Sequence, residues 1–259
     1  MHELLASALG TAEVIGRRGE LVLYRWQDPS GARLVMCTEG AAIVDFLPSF
    51  AAEPGARLAG VRAANEDVAV ADVVDDGGEV VTRLAAEFEQ RRQLPAGPVG
   101  GRASIVALGV QATVHASEDD FAASDASLLG GAEEPGEPPA HFLENGWQWP
   151  PRMAAESFIS YGVFNAGETA EAYARLNGVV LAADVRTVAA TGQRFVAARV
   201  RCAGFEATVC LPADEHTTAP RPGAVIAGTM FLTASLPGLA LPQEEPRRRF
   251  GLPWKRSRR

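Results

Sequence analysis

The sequence lacks long apolar runs and is poor in cysteine. No stretch of the 259 residues approaches the roughly 18 apolar residues of a transmembrane helix. Residues 1–10 lack the basic start and apolar core of a signal peptide. The three cysteines form no CxxC pair, as is typical of proteins in a reducing compartment. We therefore expect a cytoplasmic protein.

The motifs of common enzyme classes are also missing. The sequence has no Gly-x-Ser-x-Gly elbow, no HExxH and no dinucleotide-binding glycine pattern. The four histidines are scattered, and the consecutive Asp214, Glu215 and His216 are better explained as a polar loop, because adjacent side chains rarely converge on one ion. We therefore predict no catalytic residue, no metal and no cofactor, and we favour a protein that is not an enzyme.

Lysine is almost absent, since Lys255 is the one lysine among 24 basic residues. Together with the abundance of Ala, Gly and Pro, this indicates a GC-rich bacterial genome. Charge is also uneven along the chain. Residues 246–259 carry seven basic and no acidic residues, so the net charge of −8 is the difference between a body of −15 and a tail of +7.

The clearest structural signal lies in residues 194–212. They alternate between apolar and polar with the two-residue period of a half-buried strand, on both sides of a central Ala-Gly turn. This turn places Val200 opposite Ala207 on an apolar face and Arg201 opposite Glu206 on the other face. The pattern predicts a β-hairpin with this register.

The same order of strand and turn signals occurs twice, in residues 19–61 and 178–229. Residues 54–60 (Pro-Gly-Ala-Arg-Leu-Ala-Gly) and 222–228 (Pro-Gly-Ala-Val-Ile-Ala-Gly) are identical at five of seven positions. We interpret this as an internal duplication of a four-strand unit. The alternative is that any two meanders with Pro-Gly turns look alike.

These patterns predict an α+β, β-rich fold with two related four-strand meander units and a few short helices. Each unit is expected to be a small β-barrel or sandwich-like and weakly similar to an OB-fold. The sequence divides into four predicted parts. The first is a β-rich domain (1–130) with helices near 2–9, 79–93 and 118–129, and it is followed by an acidic Pro/Gly linker and aromatic segment (131–153). The third is a second β-meander domain (154–240) with a short helix near 168–176, and the fourth is a disordered basic tail (241–259).

Aromatic residues cluster just after the acidic linker. Trp147 and Trp149 lie between prolines and glycines, and Tyr161 and Phe164 follow soon after. Aromatic side chains bury a large area at little cost in rotamer entropy, so they are common at binding surfaces. These four residues are therefore candidates for a ligand or partner surface. We favour the other interpretation, a clamp that packs the two halves of the chain together, because proline-flanked aromatic residues beside a linker commonly do so.

The basic tail alternates apolar and charged residues. Its candidate anchor residues are Arg247, Arg248, Arg249, Trp254, Lys255, Arg256, Arg258 and Arg259. Such a segment is suited to an acidic protein or to an anionic membrane surface. Nucleic acid is the least expected partner, because the acidic body would be repelled by phosphates.

We therefore predict a non-catalytic binding or scaffolding protein that acts through protein contacts, with the tail as an electrostatic anchor. The alternative is an enzyme of unknown reaction with a site in the cleft between the two halves, near Trp147 and Trp149.

Overall fold

The computed structural model describes residues 2–130, 136–165 and 167–243. The predicted anchor residues of the tail lie outside these ranges. Helices span His2–Thr11 (α1), Glu118–Ala123 (α2) and Ala140–Asn145 (α3). The strands are Glu13–Arg18 (β1), Leu21–Gln27 (β2), Ala32–Glu39 (β3), Ala42–Phe50 (β4), Ala56–Ala63 (β5), Ala69–Val74 (β6), Val80–Phe88 (β7), Val99–His115 (β8), Ser157–Ser160 (β9), Tyr173–Thr187 (β10), Arg194–Cys202 (β11), Phe205–Pro212 (β12) and Val225–Ser235 (β13).

The strands form two sheets, and the predicted β-rich α+β class is confirmed. Strands β1 to β4 form an antiparallel four-stranded sheet in chain order. The other nine form a mixed sheet in which β8 and β13 pair with each other along most of their length. The pairings close two rings through this central pair. One ring is β8-β5-β6-β7-β13, and the other is β8-β12-β11-β10-β13.

The two rings contain two four-strand units of the same topology, the first unit (β5–β8) and the second unit (β10–β13). In each unit three strands form a meander, and the fourth strand pairs antiparallel with the first. The third strand of each unit then pairs parallel with the fourth strand of the other. The described residues thus contain two related four-strand units, although their boundaries differ from those predicted.

The sequence supports this new correspondence. Residues 56–63 (Ala-Arg-Leu-Ala-Gly-Val-Arg-Ala) and 174–181 (Ala-Arg-Leu-Asn-Gly-Val-Val-Leu) are identical at five of eight positions. Gly101 and Gly228 occupy equivalent places in β8 and β13, with φ angles of 146° and 147°. A Cβ at Gly228 would lie 2.0 Å from the carbonyl oxygen of Gln111, so only glycine allows β8 and β13 to approach this closely.

The predicted duplication of residues 19–61 and 178–229 needs correction. Both stretches contain a three-strand meander, but β5 joins the other sheet, whereas β13 pairs with β10. The similar segments 54–60 and 222–228 begin β5 and β13, which are not equivalent strands. Their resemblance reflects the Pro-Gly residues that commonly precede strands.

The predicted hairpin register is confirmed at every position. Val200 pairs with Ala207 and Arg201 with Glu206, and the apolar face of this hairpin is buried. The predicted helix at 79–93 is wrong, because these residues form β7 and a short 3-10 turn. Strand β7 is buried on both faces near its end, so its sequence lacks the two-residue alternation that reveals a half-exposed strand.

The remaining predicted helices differ in outcome. Helix α1 covers the predicted helix at 2–9, and α2 forms the first half of the predicted helix at 118–129, followed by a 3-10 turn. The segment 168–176 is not helical beyond a 3-10 turn at Gly167–Thr169, because β10 begins at Tyr173.

One hydrophobic core joins the two halves of the chain. It combines residues of the first unit, such as Leu58 and Phe88, with residues of the second unit, such as Leu176 and Val200. The sequence predicted separate domains on either side of residues 131–153, but the nine-stranded sheet includes strands from both sides. The four-stranded sheet packs against the nine-stranded sheet through a separate cluster, which includes Leu23 and, on β13, Phe231.

Candidate functional site

The aromatic segment, residues 136–149, brings together two of the four predicted surface residues. Phe142, on α3, contacts Trp147 and Trp149 edge-to-face, with ring centroids 5.5 and 5.0 Å apart. Trp149 Nε1 donates a hydrogen bond to the Gly136 carbonyl oxygen at 2.8 Å. These contacts fold the segment onto itself.

The aromatic segment stands apart from the core. Among the described residues, its hydrogen bonds stay within the segment, and none of its residues belongs to a buried hydrophobic cluster. Leu143 is 68% exposed and Trp147 is 58% exposed. A clamp between the halves would bury these side chains, so the geometry is that of an exposed surface.

Tyr161 and Phe164 lie elsewhere, in and just after a 3-10 turn that follows β9. The turn packs closely against its neighbours at Gly162, because a Cβ there would lie 2.2 Å from the Glu171 carbonyl oxygen and 2.7 Å from Ala85 Cβ. A larger residue would therefore displace the turn. Phe164 is 76% exposed. Within the described ranges, no ring contact joins either residue to Trp147 or Trp149, so the four predicted residues do not form one cluster.

Open grooves lie along the described part of the nine-stranded sheet. Two of them, of about 530 and 890 Å³, run into each other and share Pro54, Gly55, Arg199 and Glu206. The third, of about 350 Å³, lies beside β6 and residues 162–167. Trp147 and Trp149 line none of these three grooves, so none provides the cleft of the predicted alternative enzyme site.

Burial limits the chemistry that two cysteines and one histidine can supply. Burial raises the pKa of the Cys202 and Cys210 thiols to about 12, so both are protonated and poor nucleophiles at neutral pH. Burial lowers the pKa of His115, whose Nε2 lies 2.9 Å from Thr113 Oγ1. Within the described part of the chain, no three His, Cys, Asp or Glu residues are grouped to hold a metal ion.

A buried polar network around Glu89 was not predicted from the sequence. Glu89 follows β7, has a fully buried side chain and accepts hydrogen bonds from Ser49 Oγ at 2.9 Å and from Arg33 Nη1 at 3.3 Å. Arg25 Nη1 lies 3.9 Å from its other oxygen. This network ties the four-stranded sheet to the nine-stranded one, so we assign it a structural role.

Another feature that no sequence pattern indicated is a pair of arginines in the groove of about 890 Å³. Arg57 on β5 and Arg102 on β8 are directly opposite in the sheet. They are 45 positions apart in the chain, and no local pattern signals that their strands pair.

Comparisons with known proteins identified no relative of this chain. No family model matches the chain, and neither the curated proteins nor the solved structures contain a significant match. Over the ranges that the structure describes, none of the helices combines the length and apolar character needed to cross a membrane.

Proposed function

We propose that this is a non-catalytic protein that binds a protein partner through the aromatic segment, and that it works in the cytoplasm. The main support for the proposal is that Leu143 and Trp147 are exposed. They lie on a segment whose shape is stabilised by contacts between its own aromatic rings. Apolar side chains held in place lose little entropy on binding, which makes them effective anchors for a partner.

The charges around the aromatic segment indicate the chemistry of the partner. Glu137 and Glu144 are both exposed beside the apolar residues. A complementary surface would place an apolar pocket or side chain among basic residues. Binding should therefore weaken as the salt concentration rises, because exposed charges are screened.

Photo-crosslinking from position 147 tests this proposal. A benzoylphenylalanine in place of Trp147 should capture a specific protein in cells, and the additional change Leu143→Asp should abolish the capture. Benzoylphenylalanine at Phe164, which is also exposed, serves as the matched control. The same captured proteins from both positions, or capture that survives Leu143→Asp, would contradict the proposal.

The basic tail is proposed as an electrostatic anchor for this binding protein. Its support is the seven basic residues interleaved with Phe250, Leu252 and Trp254. Near an anionic membrane, each basic residue contributes about 1 kcal/mol of attraction.

The tail is tested by comparing the full chain with a chain that ends at Glu245. On anionic vesicles, binding should require the tail and should weaken along a salt series, whereas binding to DNA should stay weak in both proteins. Identical vesicle binding by the two proteins would show that the membrane is not the target of the tail.

A further inference from the structure

Two arginines of like charge face each other across the β5–β8 pair. Arg57 pairs directly with Arg102, so their Cβ atoms are about 4.5 to 5.5 Å apart. Both residues are exposed. Among the residues that the structure describes, no carboxylate lies within ion-pair distance of either guanidinium. Like charges placed directly opposite destabilise a sheet, so the pair is costly when nothing neutralises it.

The equivalent position in the second unit has a different environment. Arg175, the counterpart of Arg57, pairs with Thr229 instead of a second arginine. Its Nη2 donates to the Ala126 carbonyl oxygen at 2.6 Å, in the segment that follows α2. The chain thus supplies an oxygen acceptor to Arg175, whereas Arg57 faces the open groove of about 890 Å³.

The groove holds the arginine pair in a place where a ligand can reach it. Arg102 Nη2 donates to the Pro54 carbonyl oxygen at 3.2 Å, which fixes one guanidinium over the groove. The facing wall carries two ion pairs, in which Arg199 donates to Glu206 at 2.6 Å and Arg201 donates to Glu156 at 2.8 Å.

The carboxylates of the groove limit what it can bind. Glu156 and Glu206 are engaged by the wall arginines, and Asp75 Oδ1 accepts the N–H groups of Gly77 and Glu79 at 2.9 Å. Asp75 and Asp76 line the groove and face solvent. These acidic groups would repel an extended polyanion more strongly than a single oxyanion, which needs only the two guanidinium groups.

We propose that Arg57 and Arg102 form a binding site for one oxyanion, and that its ligand carries a phosphoryl group. Two guanidinium groups on neighbouring strands can each donate a pair of hydrogen bonds to the oxygens of such a group. The bound anion also removes the repulsion between the arginines. The site lies in a groove that does not include the aromatic segment, so it adds a small ligand to the proposed protein-binding function.

Thermal unfolding with inorganic phosphate as the probe tests the site. Phosphate stabilises many proteins by exclusion from their surface, so each protein is measured in phosphate and in chloride at equal ionic strength and is compared with its variants. At about ten times the dissociation constant, phosphate should raise the Tm of the natural chain by about 3 °C through the site. The double variant Arg57→Gln/Arg102→Gln should lose this rise.

The control variant is Arg62→Gln, since Arg62 is exposed on the same strand. It should keep the full phosphate-dependent rise. In chloride, Arg57→Gln should raise the Tm slightly, because it removes the repulsion from Arg102. An equal rise in the double variant and the natural chain, or no rise in the natural chain, would overturn the proposal.

Discussion

The first and second units share one topology but present different outer surfaces at equivalent positions. Thr233 on β13 and Val106 on β8 are equivalent, and they pair with each other at the centre of the sheet. The end of β4 covers both. Ser49 Oγ lies 3.3 Å from Thr233 Oγ1, whereas the next residue, Phe50, packs with Val106 in an apolar cluster.

The difference extends to the neighbouring strands. Glu87 pairs with Thr233 and Thr208 pairs with Val106, both in parallel. Glu89 and Cys210 each lie two residues after these paired positions, so they are equivalent. Glu89 is held by Ser49 and Arg33, while Cys210 packs beside Phe50. A repeated backbone can therefore join the same covering strand by polar contacts in one unit and by apolar contacts in the other.

The largest expected effects test whether the two units share one core. Val73 and Val200 are fully buried, one in each unit. Val73→Asp and Val200→Asp should each destabilise the chain by about 3 to 5 kcal/mol, because each buries an unpaired carboxylate. Urea unfolding should show a single transition in both variants.

The control is Arg199→Asp, on the exposed face of the strand that carries Val200. It should cost about 1 kcal/mol or less. If either valine variant unfolds in two steps, the chain folds as two separate domains, as its sequence pattern predicted for residues 1–130 and 154–240.

Truncation of the equivalent Glu89 and Cys210 should have unequal effects on stability. Glu89→Ala should cost about 2 to 4 kcal/mol, because it leaves partly buried Arg33 without its carboxylate. Cys210→Ala should cost about 1 kcal/mol, since it removes only a small apolar group. Chemical denaturation of the two variants measures both values, and equal losses would mean that the polar network has no special role.

A smaller effect is expected at the equivalent arginines. Arg175→Gln removes the charged hydrogen bond to the Ala126 carbonyl oxygen and should cost about 1 to 2 kcal/mol. Arg57→Gln should change the unfolding free energy by less than about 0.5 kcal/mol. A matching loss at Arg57 would show that the chain itself supplies a partner there.

The smallest effect concerns pH at the turn after β2, where Asp28 joins the four-stranded sheet to the second unit. Burial acts to raise the pKa of Asp28, but hydrogen bonds from Ser30, Ala189 and Ala190 outweigh it and lower the pKa below 3.8. A carboxyl with a lowered pKa in the folded state stabilises the fold above its unfolded pKa, and this contribution is lost as pH falls through the folded value.

Asp28→Asn should therefore be less stable than the natural chain near neutral pH, by about 1 kcal/mol. The difference should shrink as pH falls below the unfolded pKa of about 3.9 and through the lower folded value. Measurement of unfolding across this range checks the sign. A difference that stays constant with pH would mean that the carboxylate charge plays no part.

Local patterns were the predictable part of this molecule. The register of the 194–212 hairpin follows from alternation on both sides of a short turn, and the buried face sets it uniquely. The aromatic segment could likewise be located from composition. The separation of this segment from the core could not be predicted, because its exposure depends on where the chain leaves and rejoins the sheet.

Long-range pairing was the part that the sequence could not reveal. Strand β8 pairs with β5, which precedes it in the chain, and with β12 and β13, which lie far after it, so no local signal marks its partners. The repeat was inferred from Pro-Gly turns, although the more informative match was Ala-Arg-Leu-x-Gly-Val in residues 56–61 and 174–179. The opposition of Arg57 and Arg102 depends on the same pairings and was hidden for the same reason.

The shared central pair of strands has a consequence for synthesis on the ribosome. Strand β13 is the last strand in the described chain to be made, and both rings need it for closure. A nascent chain that stops before Val225 can form hairpins, but it has neither ring complete and leaves apolar faces in water. The emerging protein should therefore stay sensitive to proteases until Val225–Ser235 leaves the exit tunnel, and then become resistant in one step.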